Sequence, residues 1–254
     1  LIYIFNYQLN MKLSFIIPCL NSSKIIKNSI RKLIEKLNKK KILYELIVVD
    51  DGSVDNTLSV LKKIKKKNIK IISNFKNLGK SSSIIKGIRK AKYEKIVLID
   101  DDIPYFNYLD KVINLLKKNN FVYINRRSKK SKLLSKNLTF YQLCRHFISN
   151  FVSIIINTIL LDKNIGDTQA GLKGFKKPKN FNRYQFISKK FFLDAELMIL
   201  FHRSKMQLKS VALKYKMYNE STIKVFALQN FQYLFELLRV IIYYKIVKTN
   251  KIIL

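Results

Sequence analysis

The hydrophobic and polar positions of this chain alternate between two periods. Lys12–Pro18 (KLSFIIP), Tyr44–Asp50 (YELIVVD), Lys70–Ser73, Ile96–Ile99 and Phe121–Asn125 are short apolar runs bounded by polar residues, the pattern of buried strands. Between them apolar residues recur at helical spacing. Ile25, Ile26, Ile30, Leu33, Ile34 and Leu37 do so over Ser23–Asn38, a helix that Asn21 and Ser22 are placed to cap. Further helices are predicted from Asp55 or Asn56 to Lys66, over Ser81–Ala91 and over Phe106–Lys118. This β-α-β-α-β-α-β-α-β order predicts an α/β fold with a mostly parallel central sheet flanked by helices.

After Asn125 the pattern changes. Arg126–Lys136 reads as a basic, Ser-rich loop and Leu138–Leu161 as a long amphipathic helix, with Phe147, Phe151, Ile154, Ile155 and Ile159 among its apolar positions. Residues 166–175 (GDTQAGLKGF) read as a glycine-bearing loop, Phe192–Ser204 as a helix, Lys209–Tyr215 as a strand and Phe231–Val247 as a final amphipathic helix. The expected organisation is an N-terminal extension (1–10), one domain over 11–222 with a donor half (11–125) and an acceptor half (126–222), and a C-terminal helical segment (223–254).

Three of the strands run into polar loops rich in carboxylates or turn residues: Pro18-Cys19-Leu20-Asn21, Asp50-Asp51-Gly52-Ser53 and Asp100-Asp101-Asp102. In a parallel sheet the carboxyl ends share one edge, where ligands bind. Three adjacent acids repel one another, and hard oxygen ligands suit Mg²⁺ or Mn²⁺, which share their shell with substrate phosphates. A solvated acidic turn is the plainer alternative for Asp100–Asp102 taken alone.

Composition adds less. The chain carries 50 Lys+Arg against 16 Asp+Glu, a formal charge of +34, with 48% hydrophobic residues. Such a field favours anionic partners, among them phosphorylated substrates and acidic membrane surfaces. Lysine is abundant in loops and helices alike, so part of the charge reads as compositional bias. No motif of a nucleic-acid-binding module is present, and no nucleic-acid partner is expected. Cys19 and Cys144 lie far apart without zinc-ligand or disulfide-framework spacing, which fits a reducing compartment. No apolar run reaches the roughly 18 residues needed to span a bilayer. Residues 1–10 lack the charged region and cleavage site of a signal peptide.

The stretches IIPCLNSSKII, ELIVVDDGSVDNT, NLGKSSSIIKGI, VLIDDDIP, DTQAGLKGF and FLDAE, in this order over residues 12–222, resemble the family 2 glycosyltransferases of the GT-A fold. Within them the last two resemble the polyprenyl-phosphate, or dolichyl-phosphate, sugar synthases. The resemblance implies an inverting, metal-dependent transfer of a sugar from a UDP- or GDP-linked donor to a polyprenyl phosphate, by an enzyme peripheral on the cytoplasmic face of an anionic membrane. It implies that Pro18, Asn21, Asp50, Asp51, Gly79, Lys80, Asp100 and Asp101 bind the nucleotide sugar, and that Asp102 with Asp100 holds Mg²⁺ or Mn²⁺. Arg126, Arg127, Thr168 and Gln169 are placed on the acceptor, and Asp100, Arg127, Asp167 and Glu196 among the catalytic groups. Gly171 is placed where the backbone approaches closely.

Asp194 and Glu196 are two apart, so they do not share a helix face, and Glu196 is taken as the one facing the pocket. Three positions depart from the family pattern. Pro104 stands where a Gln is common, Ser22 where a Glu is common, and Ser210-Val211-Ala212-Leu213 where Glu-Val-Pro-Val is common.

The acceptor's chemistry decides which residues are needed. A phosphate monoester, with its second pKa near ~6, is largely dianionic at neutral pH and attacks without a base; the basic cluster Arg126, Arg127, Lys129, Lys130 and Lys132 suits it. A saccharide hydroxyl needs a base, with Asp167 and Glu196 as candidates. A saccharide-directed family 2 transferase is therefore the enzymatic alternative. A basic nucleic-acid-binding protein or a catalytically silent scaffold is the non-enzymatic one.

Overall fold

The computed structural model describes residues 11–135, 138–161, 165–216 and 229–246. The expected extension 1–10, Lys136 at the end of the basic loop, and residues 223–228 and 247–254 of the C-terminal segment lie outside them.

Nine strands and seven α-helices are described. The strands are β1 (Lys12–Cys19), β2 (Leu43–Asp50), β3 (Ile69–Ser73), β4 (Lys95–Ile99), β5 (Phe121–Ile124), β6 (Lys132–Leu133), β7 (Leu172–Lys176), β8 (Leu208–Val211) and β9 (Lys214–Tyr215). The helices are α1 (Ile26–Lys39), α2 (Thr57–Lys62), α3 (Lys80–Arg89), α4 (Leu109–Leu116), α5 (Phe140–Ile159), α6 (Leu193–Arg203) and α7 (Gln229–Ile246). Seven strands form one sheet in the order β3-β2-β1-β4-β7-β5-β8, and β6 pairs with β9 alongside. β7 runs antiparallel to both its neighbours, while the other pairs in the large sheet are parallel.

Both faces of the sheet are covered. Leu33 and Leu37 of α1, Leu61 of α2 and Val112 of α4 share a core with Leu13, Phe15 and Val97 on one face. Ile84 and Ile88 of α3, Ile156 of α5, Leu197 and Phe201 of α6 and Val240 of α7 share the other with Ile16, Ile96 and Phe175. This two-sided burial is why β1, β2 and β4 read as continuous apolar runs.

Five expectations are corrected. The stretch after Gly166 is not all loop: Leu172–Lys176 is β7, wedged between β4 and β5, and Gly174 sits against Leu116 and Val112 of α4. The segment 209–215 divides into β8 and β9, which belong to different sheets. The helix after Asp55 ends at Lys62, and the one at 106 begins as a 3-10 turn over Phe106–Tyr108. Neither Asn21 nor Ser22 caps α1, which starts at Ile26 without a side-chain cap.

Candidate functional site: the carboxyl edge of the sheet

The strand order reverses between β1 and β4, and the sheet opens there. The β1–β2 ladder continues to Cys19↔Asp50, whereas the β1–β4 ladder stops at Ile16↔Leu98. Pro18 lies past that stop, so its missing N–H costs the β4 ladder nothing. Such a reversal is where open α/β sheets bind ligands.

The loop after β2 is built by its own acids. Asp51 accepts from Asn74 Nδ2 (2.8 Å), Leu78 N (3.0 Å), Gly79 N (2.8 Å) and Ser83 Oγ (2.8 Å). Its oxygens are filled by its own chain, so it fixes the 74–83 segment. Asp50 accepts from both Ser53 N (3.3 Å) and Ser53 Oγ and is approached by Ser73 Oγ at 3.4 Å. Asn21, at φ 53°, is exposed and accepts from Val54 N at 3.0 Å, tying the β1 and β2 loops together.

The N-terminus of α3 delivers Lys80 to the end of β4, with Nζ 2.7 Å from Asp100 Oδ1. Burial opposes the lysine's charge, but Asp100 and then Asp194 more than offset it and hold the ammonium above its usual range. Burial and the carboxylates of Asp100 and Asp101 push Asp102 up to about 6. Asp101 is also raised, by burial first, although Ser22 Oγ donates to it. The acids are thus crowded and short of cations. Among the described residues no three potential ligands converge into a ready-made metal cage. The hard carboxylate oxygens of Asp100 and Asp102 suit an ion of the Mg²⁺ or Mn²⁺ kind, which takes one or two carboxylates and completes its shell with substrate phosphate and water.

The backbone after the acids is strained: Ile103 and Tyr105 have φ of 46° and 57° on either side of Pro104. A β-branched residue at positive φ is an outlier of the kind that collects at functional sites. Pro104 packs where Gly171 passes. A Cβ on Gly171 would collide with Asp100 Oδ2 and lie 3.1 Å from Pro104 Cγ.

A second cluster lies across the edge. Asp167 is fully buried and receives Arg126 Nε and Nη2 (the latter at 2.9 Å), with Arg127 Nη1 at 2.7 Å. Burial alone would raise this carboxyl, but the two guanidiniums hold it far below the ordinary carboxylate range. Arg127 also donates to Asn150 Oδ1 (3.0 Å), Ser149 O (2.6 Å) and Ser149 Oγ (2.8 Å) on α5. Arg126, Arg127, Ser131, His146, Asn150 and Ile154 line a cavity of about 440 Å³. Thr168 Oγ1 and Gln169 Nε2 are buried without a hydrogen-bond partner among the described residues. Lys129, Lys130 and Lys132 of the expected basic cluster are exposed instead.

α5 buries polar positions beside the core residue Ile156 and leaves a second apolar face exposed. Its buried positions include Gln142, Ser153 and Asn157, and Asn157 accepts from Ile165 N (2.7 Å) and donates to Gly166 O (2.8 Å), holding the turn before Asp167. Phe140, Leu143, Phe147, Phe151 and Ile154 form an exposed stripe at three- and four-residue spacing, with Phe147 at 69% and Phe151 at 64% exposure. α7 likewise exposes Leu234, Phe235, Leu238, Ile242 and Ile246 while burying Leu237, Val240 and Tyr244.

The expected orientation of Asp194 and Glu196 is reversed. Glu196 is fully buried and accepts from Ile187 N (3.0 Å), Ser188 N and Tyr244 Oη (2.9 Å). Asp194 is the one turned toward the site, paired with the buried Lys173 at 3.1 Å and near enough to Lys80 to raise it. Lys173, Tyr105, Asn125, His146 and Asn150 were not singled out from the sequence. Asn125 accepts from Arg127 N (3.0 Å) and Asp167 N (3.2 Å), a role that its place at the end of a strand alone would have flagged.

A lysine, crowded acids and an arginine-lined cavity thus share the carboxyl edge of the sheet. The model of glycosyl transferase family 2 matches residues 14–206, and the chain belongs to that family. A dolichyl-phosphate beta-glucosyltransferase of Trichomonas vaginalis is 26% identical over 249 residues, 92% of this chain and 74% of the relative. One of Dictyostelium discoideum is 28% identical over 185 residues, 66% of this chain and 55% of the relative. The chain therefore spans only part of these relatives. Among solved structures, the glucosyl-3-phosphoglycerate synthase of Mycobacterium tuberculosis with Mn²⁺, UDP-glucose and phosphoglyceric acid superposes with a TM-score of 0.65 at 13% identity, covering 93% of this chain and 81% of that one. At that identity the likeness shows the fold, which is GT-A.

Proposed function

We propose that the chain transfers a sugar, glucose in the reading its relatives favour, from a UDP-linked donor to a polyprenyl phosphate. The observation that carries the choice of acceptor is Asp167 locked between Arg126 and Arg127. A hydroxyl acceptor needs a base; Asp167 is held ionised and paired, and Glu196 is spent on the 187–188 backbone and Tyr244. A phosphate acceptor needs no base. It needs cations and donors, and the two arginines leave one net positive charge beside Thr168 Oγ1 and Gln169 Nε2, which have no hydrogen-bond partner among the described residues.

On the donor side, the Asp51-built loop and Lys80 receive the nucleotide diphosphate, and Asp100 orients the sugar. Asp102 with Asp100 would hold Mg²⁺ or Mn²⁺, which when bound offsets the negative charge growing on the leaving diphosphate. Attack by a phosphate oxygen from the Arg127 side, opposite the departing diphosphate, inverts the anomeric carbon. The strained Ile103–Tyr105 turn keeps the two halves close through the Pro104–Gly171 contact.

The exposed stripes of α5 and α7 rest on an anionic bilayer in this reading. Among the described residues no helix is long and apolar enough to cross a membrane. Apolar stripes on a chain of charge +34 are the combination that holds a helix at an anionic interface, as on the cytoplasmic leaflet. The α5 stripe ends at Ile154, which lines the arginine cavity, so a lipid phosphate arriving along α5 meets Arg127. The test is transfer of labelled sugar from a panel of nucleotide sugars to polyprenyl phosphate, with Mg²⁺ or Mn²⁺. Label entering the lipid phase with wild type and not with Asp102→Asn supports the reading; strong nucleic-acid binding without transfer from any donor defeats it.

A further inference from the structure

The N-terminus of α3, which carries Lys80, is not closed by a side-chain cap of its own. Its first amides donate instead to another segment: Ser81 N to Lys190 O and Ser82 N to Lys189 O, both at 2.9 Å. Ser81 Oγ also meets Ser188 Oγ at 2.9 Å. The approach is so close that a Cβ on Gly79, at φ 99°, would lie 2.5 Å from Lys189 O. The segment 188–191 is in turn gripped from behind by Glu236 of α7. That carboxylate accepts from Lys189 N and Lys190 N (both 2.6 Å), Phe191 N (3.0 Å) and Ser188 Oγ (3.2 Å).

One peptide stretch therefore presents its N–H groups to Glu236 and its carbonyls to the helix that aims Lys80 at Asp100. On its other side the same helix entry is fixed by Asp51, through Leu78 N and Gly79 N. We propose that Glu236 is a positioning residue of the donor site, acting through residues 188–191 and the α3 N-terminus on Lys80. The proposal rests on the reading of Lys80 as a donor contact. It gives α7 a task beyond covering the sheet: the helix that exposes an apolar stripe on one side holds the donor lysine's support on the other.

The physical argument is one of competing partners. Three backbone donors converge on one carboxylate, and charge-assisted hydrogen bonds of this kind are about twice as strong as neutral ones. Without the carboxylate, the 189–191 amides turn to water, and the two carbonyls that close α3 lose their fixed place. Lys80 then samples positions away from Asp100.

Two measurements on the full chain test this. The first is amide hydrogen exchange of the unliganded protein, which does not depend on the donor reading. Glu236→Ala is expected to speed exchange at Ser81 and Ser82 as well as at 189–191, while amides of β1 and β4 keep their protection. Exchange that changes only at 189–191 overturns the proposal. Should Glu236→Ala fail to fold, Glu236→Gln carries the test, with a smaller change at Ser81 and Ser82 expected; no change there overturns it.

The second is titration with UDP-glucose and Mn²⁺ as probe. Glu236→Ala is expected to weaken binding about tenfold, the scale of one charge-assisted hydrogen bond. Glu236→Gln, which keeps an acceptor oxygen for Lys189 and Lys190, recovers most of that affinity. The double variant Glu236→Ala/Lys80→Ala binds no more weakly than Lys80→Ala alone, because both act through one contact; additive losses overturn the proposal. If Lys80→Ala itself leaves binding unchanged, the donor reading fails, and with it the donor role of Glu236, whatever the exchange result.

Discussion

Lys80 Nζ sits 2.7 Å from Asp100 Oδ1, joining the first residue of α3 to the residue that follows β4. The pair is only partly buried, so its worth lies in placing a cation and an anion at the same edge rather than in fold stability. Lys80→Met is expected to weaken binding of the Mn²⁺–nucleotide-sugar complex at least about tenfold while shifting the unfolding midpoint little. Calorimetric titration beside a thermal melt checks both.

Asp167 behaves differently because it is fully buried between two arginines. Asp167→Asn leaves two guanidiniums facing each other and is expected to cost about 3–5 kcal/mol, read by urea unfolding. The same carboxylate sets a pH dependence. Its folded pKa lies below the ordinary 3.8, so its contribution is complete above that value and is lost as pH falls through it toward the folded one. Wild type therefore loses stability below about pH 4, and Asp167→Asn shows a correspondingly flatter acid limb.

Gly171→Ala places a methyl against Asp100 Oδ2 and Pro104. Something must shift, and the nearest movable group is the Asp100 side chain that pairs with Lys80. Turnover is expected to fall about a hundredfold, the scale of a misplacement near 1 Å; steady-state kinetics with the donor varied checks it.

The exposed stripe on α5 predicts lipid binding without a stability cost. Phe147→Ser with Phe151→Ser removes two aromatic side chains that touch little of the fold. Partitioning onto phosphatidylserine vesicles is expected to fall at least about tenfold, since each phenylalanine contributes about 1.5–3 kcal/mol on burial. The thermal midpoint stays near wild type. Unchanged sedimentation with vesicles counts against the interfacial role.

Much of this arrangement could be read from the residues alone. β1, β2 and β4 are buried on both faces and so appear as unbroken apolar runs ending in the loops that make the site. β7 was hidden because Leu172-Lys173-Gly174-Phe175 mixes a buried lysine and a glycine into a strand. Its lysine is tolerable only because Asp194 and Ala170 O receive it. For α5, periodicity revealed a stripe but carried no information on which side the protein lies; that is decided by Ser153 and Asn157, whose partners are backbone groups of the 165–166 turn. For Asp194 and Glu196 the two-residue spacing fixed that they diverge. That Glu196 is the one buried was set by the amides of Ile187 and Ser188 and by Tyr244, far along the chain.

The central claim is that the attacking atom is a phosphate oxygen. Phosphorus-31 spectra of a short-chain polyprenyl phosphate, incubated with UDP-glucose, Mn²⁺ and the protein, test it most directly. Conversion of the monoester signal to a phosphodiester signal, lost in Arg127→Ala, is the predicted result. A monoester signal that persists while sugar is transferred to a hydroxyl acceptor would contradict it.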